Sequence, residues 1–160
     1  MESIQVKISS RIFMADITEK AEILRKATAE GKIYLKNQTI QAIKNEEIKK
    51  GDLFSNAELA AINSIKKTPD MIFLAHPIMI TEVKVHIEIL EGESAIKSTV
   101  KVQSIAKTGV ELEAIMGVMI SLLTIFDMCK YLEKDEQGQY INTQISEIKI
   151  VEKIKESTNT

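Results

Sequence analysis

The chain has 160 residues, enough for one domain with a sizeable core. Hydrophobic residues make up 44% and charged residues 28%, and the net charge is −2, a balance that excludes wholesale attraction to nucleic acid or to an anionic membrane. A single cysteine, Cys129, excludes an intrachain disulfide and a cysteine-based zinc site, and points to a reducing, cytoplasmic setting.

Residues 1–13 read as a weakly alternating arm, without the apolar stretch of a signal peptide. Residues 15–35 mix helix-favouring Glu, Ala, Lys and Leu with the alternation of ATAEGKIYL, and Gly31 favours a strand through the second half. NQTIQAIKNEEI (37–48) reads as a short helix, capped by Asn37 or Thr39, with Ile40 and Ile43 on one face. KKGD is a turn. SNAELAAINSIKK (55–67) predicts a helix with Ser55 and Glu58 as a capping box and Leu59, Ile62 and Ile65 as its buried stripe. Pro69 permits a further turn of helix to about Phe73, and LAHPI (74–78) is extended because the residue before a proline avoids helical torsions.

ITEVKVHIEIL (80–90) is a strand: Val83, Val85, Ile87 and Ile89 alternate with Glu82, Lys84, His86 and Glu88. After the turn EGES, AIKSTVKVQSIA (95–106) completes a hairpin. Residues 110–132 form a long helix, KDEQGQ turns, and YINTQISEIKIVEKI (140–154) is a last strand. A single domain over 14–155 is expected, followed by a loose tail at 156–160. The order predicts an α+β protein with helices on one face of an antiparallel sheet. The most apolar stretch, Ala114–Phe126, is shorter than the roughly 18 residues a bilayer span needs. The long helix is apolar nearly all round, so it needs cover on more than one side, and a second copy of the chain is the expected cover.

Three places carry chemistry. The long helix opens on Glu111 and Glu113 and closes on Asp127 and Lys130. The helix dipole explains all of these except Asp127, an acid near a C-terminus. Glu113 and Asp127 are fourteen residues apart, about 21 Å along a helix, so one small ligand can meet both ends only if a second helix runs antiparallel beside the first. His76, beside Pro77, is structural or else a neutral imidazole held by a rigid turn for hydrogen bonding or proton transfer. His86 lies on a polar strand face and reads as solvated. Lys49, Lys50, Lys66, Lys67 and Lys107 are solvated charges or a polyphosphate site, and no GxxxxGK[ST] or GxGxxG motif accompanies them. Few aromatics (4%, no Trp) leave little for stacking bases.

In order along residues 14–134, MADITEK (14–20), KKGDLF (49–54), IKKTPDMIFLAHPI (65–78), KTGVELEA (107–114) and LTIFDMCK (123–130) closely resemble the motifs of the MoaC family, the cyclic pyranopterin monophosphate synthases of molybdenum cofactor biosynthesis. The resemblance implies a ferredoxin-like α+β fold and a hexamer built as a trimer of dimers, with sites at the dimer interface. It implies a lyase that converts 3′,8-cyclo-7,8-dihydroguanosine 5′-triphosphate to cyclic pyranopterin monophosphate and releases pyrophosphate. By motif, Asp127, Lys130, Lys50 and His76 are implied to be catalytic. Leu74, Ala75, His76, Leu112, Glu113, Glu111, Lys66, Asp16 and, more loosely placed, Lys153 are implied to bind substrate. No cofactor is required, with magnesium allowed as a companion of the triphosphate or pyrophosphate. Three positions depart from the pattern: Ala75 where the family often has Cys, Glu58 where it usually has Arg, and KIKEST in place of a Gly/Lys-rich tail. The competing reading is a non-catalytic ligand-binding or regulatory domain of the same fold, which has little use for Asp127.

Overall fold

The computed structural model describes residues 12–157. The expected N-terminal arm lies outside them except for the exposed Ile12 and Phe13, as do residues 158–160 of the tail. In chain order the elements are β1 (Ile23–Tyr34), α1 (Asn37–Lys44), α2 (Leu53–Lys66), α3 (Thr68–Met71), β2 (Glu82–Leu90), β3 (Ala95–Ala106), α4 (Glu111–Glu133) and β4 (Gln144–Glu156). The strands form one antiparallel sheet in the order β2-β3-β1-β4. This is a ferredoxin-like α+β arrangement.

β1 runs through the sheet interior, and its parity explains its sequence. Arg25, Ala27, Ala29, Gly31 and Ile33 are buried, while the residues between them carry the polar face, where Glu30 pairs with Lys97 at 2.8 Å. The small residues let α4 close on the sheet. A methyl group on Gly31 would lie 2.8 Å from Val118 Cγ1 and 2.9 Å from Ile148 Cγ1, and the β1–β4 register slips across this glycine. Gly31 therefore serves close packing at a bulge.

α4 buries Ala114, Val118, Leu122, Ile125 and Cys129. Gly117 brings it against α2 and β3: a Cβ there would meet Ile65 Cδ1 at 2.9 Å and Val100 Cγ1 at 3.0 Å. By length and a mean hydropathy of 1.8 this helix could cross a bilayer, but half of that apolar stretch is buried within the fold, as in a core helix. Its other side stays open. Leu112, Met119 and Leu123 are exposed, Met116 is half-buried, and these four share one stripe that ends at Asp127 and Lys130.

Several local expectations are corrected. α2 starts at Leu53 because Asp52 is its cap; Ser55 donates its N–H to Asp52 Oδ1 (3.1 Å), and no Ser55–Glu58 box forms. The buried face is Leu53, Ala57, Ala61 and Ile65, and Leu59 is 66% exposed, because close approach to α4 selects small residues. Neither Asn37 nor Thr39 caps α1. Lys36 holds that position, and its N–H donates to the buried carboxylate of Glu133 at 3.0 Å. β2 starts two residues late, at Glu82. β4 starts at Gln144 because Tyr140–Thr143 is a turn, fixed by a bond from Thr143 Oγ1 to Glu133 (2.6 Å).

Candidate active site

Two sets of functional side chains lie at opposite ends of α4. At its C-terminal end, Asp127 lies between two ammonium groups. Lys50 Nζ donates to Asp127 Oδ2 at 2.6 Å and to the Asp127 carbonyl at 2.9 Å. Lys130 Nζ pairs with Oδ1 at 2.8 Å. Lys50 stands on the turn Ile48–Gly51, closed by a bond from Gly51 N–H to Ile48 O (3.1 Å), with Gly51 at φ +99° where only glycine is comfortable. Lys130 and then Lys50 hold the Asp127 carboxyl at about 2, and Asp127 in turn raises the pKa of Lys130. Asp127 is thus a carboxylate and Lys130 an ammonium at neutral pH. All three side chains are about half-exposed, so the set carries net positive charge and can reach a ligand.

At the N-terminal end, a cleft of about 200 Å³ is walled by Ala15, Leu74, Ala75, His76, Leu112 and Glu113. Glu113 is 2% exposed, and its Oε2 has no hydrogen-bond partner among the described residues. Burial, reinforced by nearby Glu111, pushes its carboxyl above the ordinary value. A buried carboxyl oxygen in a cleft wall can accept a hydrogen bond from a group that enters the cleft. Asp16 accepts the N–H (2.8 Å) and the hydroxyl (2.6 Å) of Thr18, and these bonds, helped by nearby Lys107, lower its pKa.

A second cleft, about 470 Å³, adjoins the first through Thr108, Gly109 and Leu112 and is basic: Lys20, Arg25, Lys107, Lys153 and Lys155 line it against one acid, Glu111. Lys153 is ion-paired to Glu111, which puts this C-terminal lysine in the cleft. Burial opposes the Glu111 carboxylate, but the Lys153 ammonium outweighs it, and the pKa is lowered. Gly109 makes room for that carboxylate, since a Cβ would fall 2.7 Å from Glu111 Cδ. Arg25 is 8% exposed and, among the described residues, donates only to the carbonyls of Ala106 (3.3 Å) and Lys107 (3.4 Å). A buried guanidinium bonded only to backbone oxygens keeps its charge available to an anion.

The fold therefore gathers Lys50, Asp127 and Lys130 in one place, and Asp16, Leu74, Ala75, His76, Glu111, Leu112, Glu113 and Lys153 in another. Lys66 lines neither cleft. It is exposed in the last turn of α2, at the Glu113 end, where Ser64 Oγ reaches Met116 O at 3.5 Å. His86 is solvent-exposed, as expected. The two places stay separated by the length of α4, about 21 Å. A cleft larger than either of these, about 550 Å³, lies between α1 and the start of α2. It is lined by Ile43, Ile48, Leu53 and Phe54, and its one lysine, Lys44, pairs with Glu91 at 2.6 Å, so size does not select the site.

Sequence reasoning missed Arg25, Lys20 and Lys155, and left Lys107 open between a solvated charge and a phosphate lysine. Arg25 had a signal: it stands on the inward parity of β1 with Ala27, Ala29 and Ile33, where a cation needs a reason. The others are exposed charges without a distinguishing pattern.

A family model described as the MoaC family matches residues 14–156. The chain is 50% identical over 143 residues to a protein of Thermococcus onnurineus named "Probable cyclic pyranopterin monophosphate synthase", covering 89% of this chain and 90% of the relative. Relatives of the same name are 47% identical over 145 residues in Archaeoglobus fulgidus (91% and 92% covered) and 44% identical over 147 residues in Methanococcoides burtonii (92% and 91% covered).

Proposed function

Because the chain belongs to the MoaC family, we propose that it is a cyclic pyranopterin monophosphate synthase, an enzyme of molybdenum cofactor biosynthesis. As a lyase it would take 3′,8-cyclo-7,8-dihydroguanosine 5′-triphosphate to cyclic pyranopterin monophosphate and pyrophosphate. The observation that carries this reading is the Lys50–Asp127–Lys130 set, in which both carboxylate oxygens engage an ammonium. A module that only binds an anion gains nothing from that carboxylate.

Opening the guanine imidazole ring and rebuilding it as a pterin requires repeated proton transfers. Lys50, Lys130 and His76 supply the groups. With a carboxyl held at about 2, Asp127 does not deliver protons near neutrality; it orients the two lysines and keeps Lys130 charged. Glu113, with a free oxygen in the cleft wall, accepts from guanine N–H groups. A hydroxyl of the rearranged substrate attacks the α-phosphate, and the basic cleft with Arg25, Lys107 and Lys153 stabilises the departing pyrophosphate. Leu74, Ala75, Leu112 and Glu111 shape the pocket around the base, with Asp16 close to His76 and Lys107. No resident cofactor enters this scheme, and magnesium takes part only as a companion of the triphosphate.

The two halves meet when a second copy packs along the open stripe of α4 with the helices antiparallel. Leu112, Met119 and Leu123 are then covered, and the Asp127 end of one protomer faces the Glu113 end of its partner. Three such dimers make the hexamer this reading expects, in the cytoplasm. Incubation with the cyclised guanosine triphosphate tests the function: pyrophosphate and, after oxidation, pterin fluorescence should appear together. Binding of the nucleotide without either product would leave the non-catalytic alternative.

A further inference from the structure

The turn that carries Lys50 offers two adjacent lysines, and only one of them meets Asp127. The turn is stiff at both ends. Upstream, α1 stops on Glu46 in the left-handed region (φ 58°), with Glu46 N–H donating to Ile43 O (3.1 Å) and Glu47 N–H to Ala42 O (2.9 Å), so α1 ends in a closed C-terminal cap. Downstream, Asp52 caps α2. Between these anchors the turn touches α4 at two points, and both lie on one helical turn of it, Asp127 and Tyr131. Asp127 takes the Lys50 ammonium. Tyr131 takes Lys49 twice: its hydroxyl accepts the Lys49 backbone N–H at 3.3 Å, and its ring centre lies 5.4 Å from Lys49 Nζ.

We propose that Tyr131 is a positioning residue for Lys50: by holding the backbone of Lys49 and drawing its ammonium onto the ring, it fixes the turn so that Lys50, and not Lys49, reaches Asp127. Neither contact requires substrate. Tyr131 is 36% exposed at the end of α4, so much of its ring is packed, and Tyr131→Phe, which keeps the ring and removes the hydroxyl, separates that packing from the hydroxyl's contact to Lys49. Lysine is a flexible point charge, and a lysine displaced by one residue along a turn points elsewhere. The pairing therefore depends on the turn's backbone, which is what the tyrosine hydroxyl holds.

The test uses the full-length protein and the variants Tyr131→Phe and Tyr131→Leu, each alone and combined with Lys50→Met. The first readout is an NMR titration of the Asp127 carboxyl carbon, which needs no substrate and does not rest on the proposed reaction. Its other neighbour, Lys130 on α4, is unchanged throughout. Tyr131→Leu should move the Asp127 titration to higher pH, in the same direction as Lys50→Met. The double variant should move no further than Lys50→Met alone, because the tyrosine acts only through that lysine. The second readout rests on the proposed function: kcat should fall by about three- to tenfold in Tyr131→Phe, the worth of one neutral hydrogen bond, and further in Tyr131→Leu, with KM little changed. Additive shifts in the double variant, or an Asp127 titration unmoved by Tyr131→Leu, would overturn the inference. A coupled titration without any turnover in the unmodified protein would support the positioning and reject the synthase reading instead.

Discussion

At the residue scale, the site is governed by how each carboxylate is partnered. Among the described residues Asp127 has two cations and Glu113 has an oxygen without a partner, and their carboxyls are shifted in opposite directions. The folded pKa of Asp127, about 2, lies below its ordinary value of 3.8. Its pairing therefore favours the fold above about pH 4, and that contribution is lost only as the pH falls through about 2. No acid limb from Asp127 should appear in kcat/KM between pH 5 and 8. Asp127→Asn should instead move the basic limb to lower pH, because the carboxylate that raises the pKa of Lys130 is gone. A pH–rate profile of the variant checks this. Lys50→Ala should leave assembly intact by size-exclusion chromatography and lower product formation by about a hundredfold or more, the range of a general acid or base. Glu113 predicts a trade. Burying an unpartnered carboxyl opposes folding by about 1–3 kcal/mol, and an apolar side chain of similar shape removes that cost, so Glu113→Met should raise Tm by a few degrees at pH 7 while lowering kcat/KM. Calorimetry and steady-state kinetics on one preparation separate the two effects. The sequence showed these charges because an acid at the end of an apolar helix has no dipole rationale. It hid Arg25, whose meaning depends on strand parity, and Tyr131, whose role depends on a turn that is distant in sequence.

At the scale of elements, period and alternation located the β2–β3 hairpin, β4 and the longer helices, β1 was legible only in its second half because its first half also favours helix, and tertiary contacts decided the ends. The β2–β3 hairpin was legible because Val83, Val85, Ile87 and Ile89 alternate without interruption against polar neighbours. The start of α2 was not, because both Asp52 and Ser55 are good caps, and the packing of Leu53 against the core selects Asp52. Asp52→Ala should therefore destabilise the protein by about 1 kcal/mol, seen as a lower denaturant midpoint at unchanged slope, whereas Glu58→Ala should do nothing measurable. Reversal of those two results would restore the capping box read from sequence. The cap of α1 could not have been found from local sequence at all. Its first free N–H is satisfied by Glu133, 97 residues away in the chain.

At the scale of the whole molecule, one chain holds two half-sites and a helix too long to join them. The Lys50–Asp127–Lys130 set and the cleft walled by His76 and Glu113 sit at opposite ends of α4, and the exposed apolar stripe between them runs from Leu112 through Met119 to Leu123 before reaching Asp127. A two-fold axis across that stripe would juxtapose unlike ends, so each complete site would take Lys50, Asp127 and Lys130 from one protomer and His76 and Glu113 from its partner. This has a consequence that no single-chain site shares. Lys50→Ala and His76→Ala proteins, each inactive alone, should recover activity when co-expressed. In a mixed dimer one site collects both defects and the other collects neither. With random pairing half the dimers are mixed and each keeps one of two sites, so activity should return to about a quarter of the unmodified level. A site built within one chain would give no recovery at any mixing ratio. Leu123→Glu supplies the complementary test, because a charge in the middle of the stripe should split the dimer and abolish turnover while the far-ultraviolet circular dichroism stays unchanged. Recovery in the mixture together with loss in Leu123→Glu would locate the chemistry at the seam between two copies of α4.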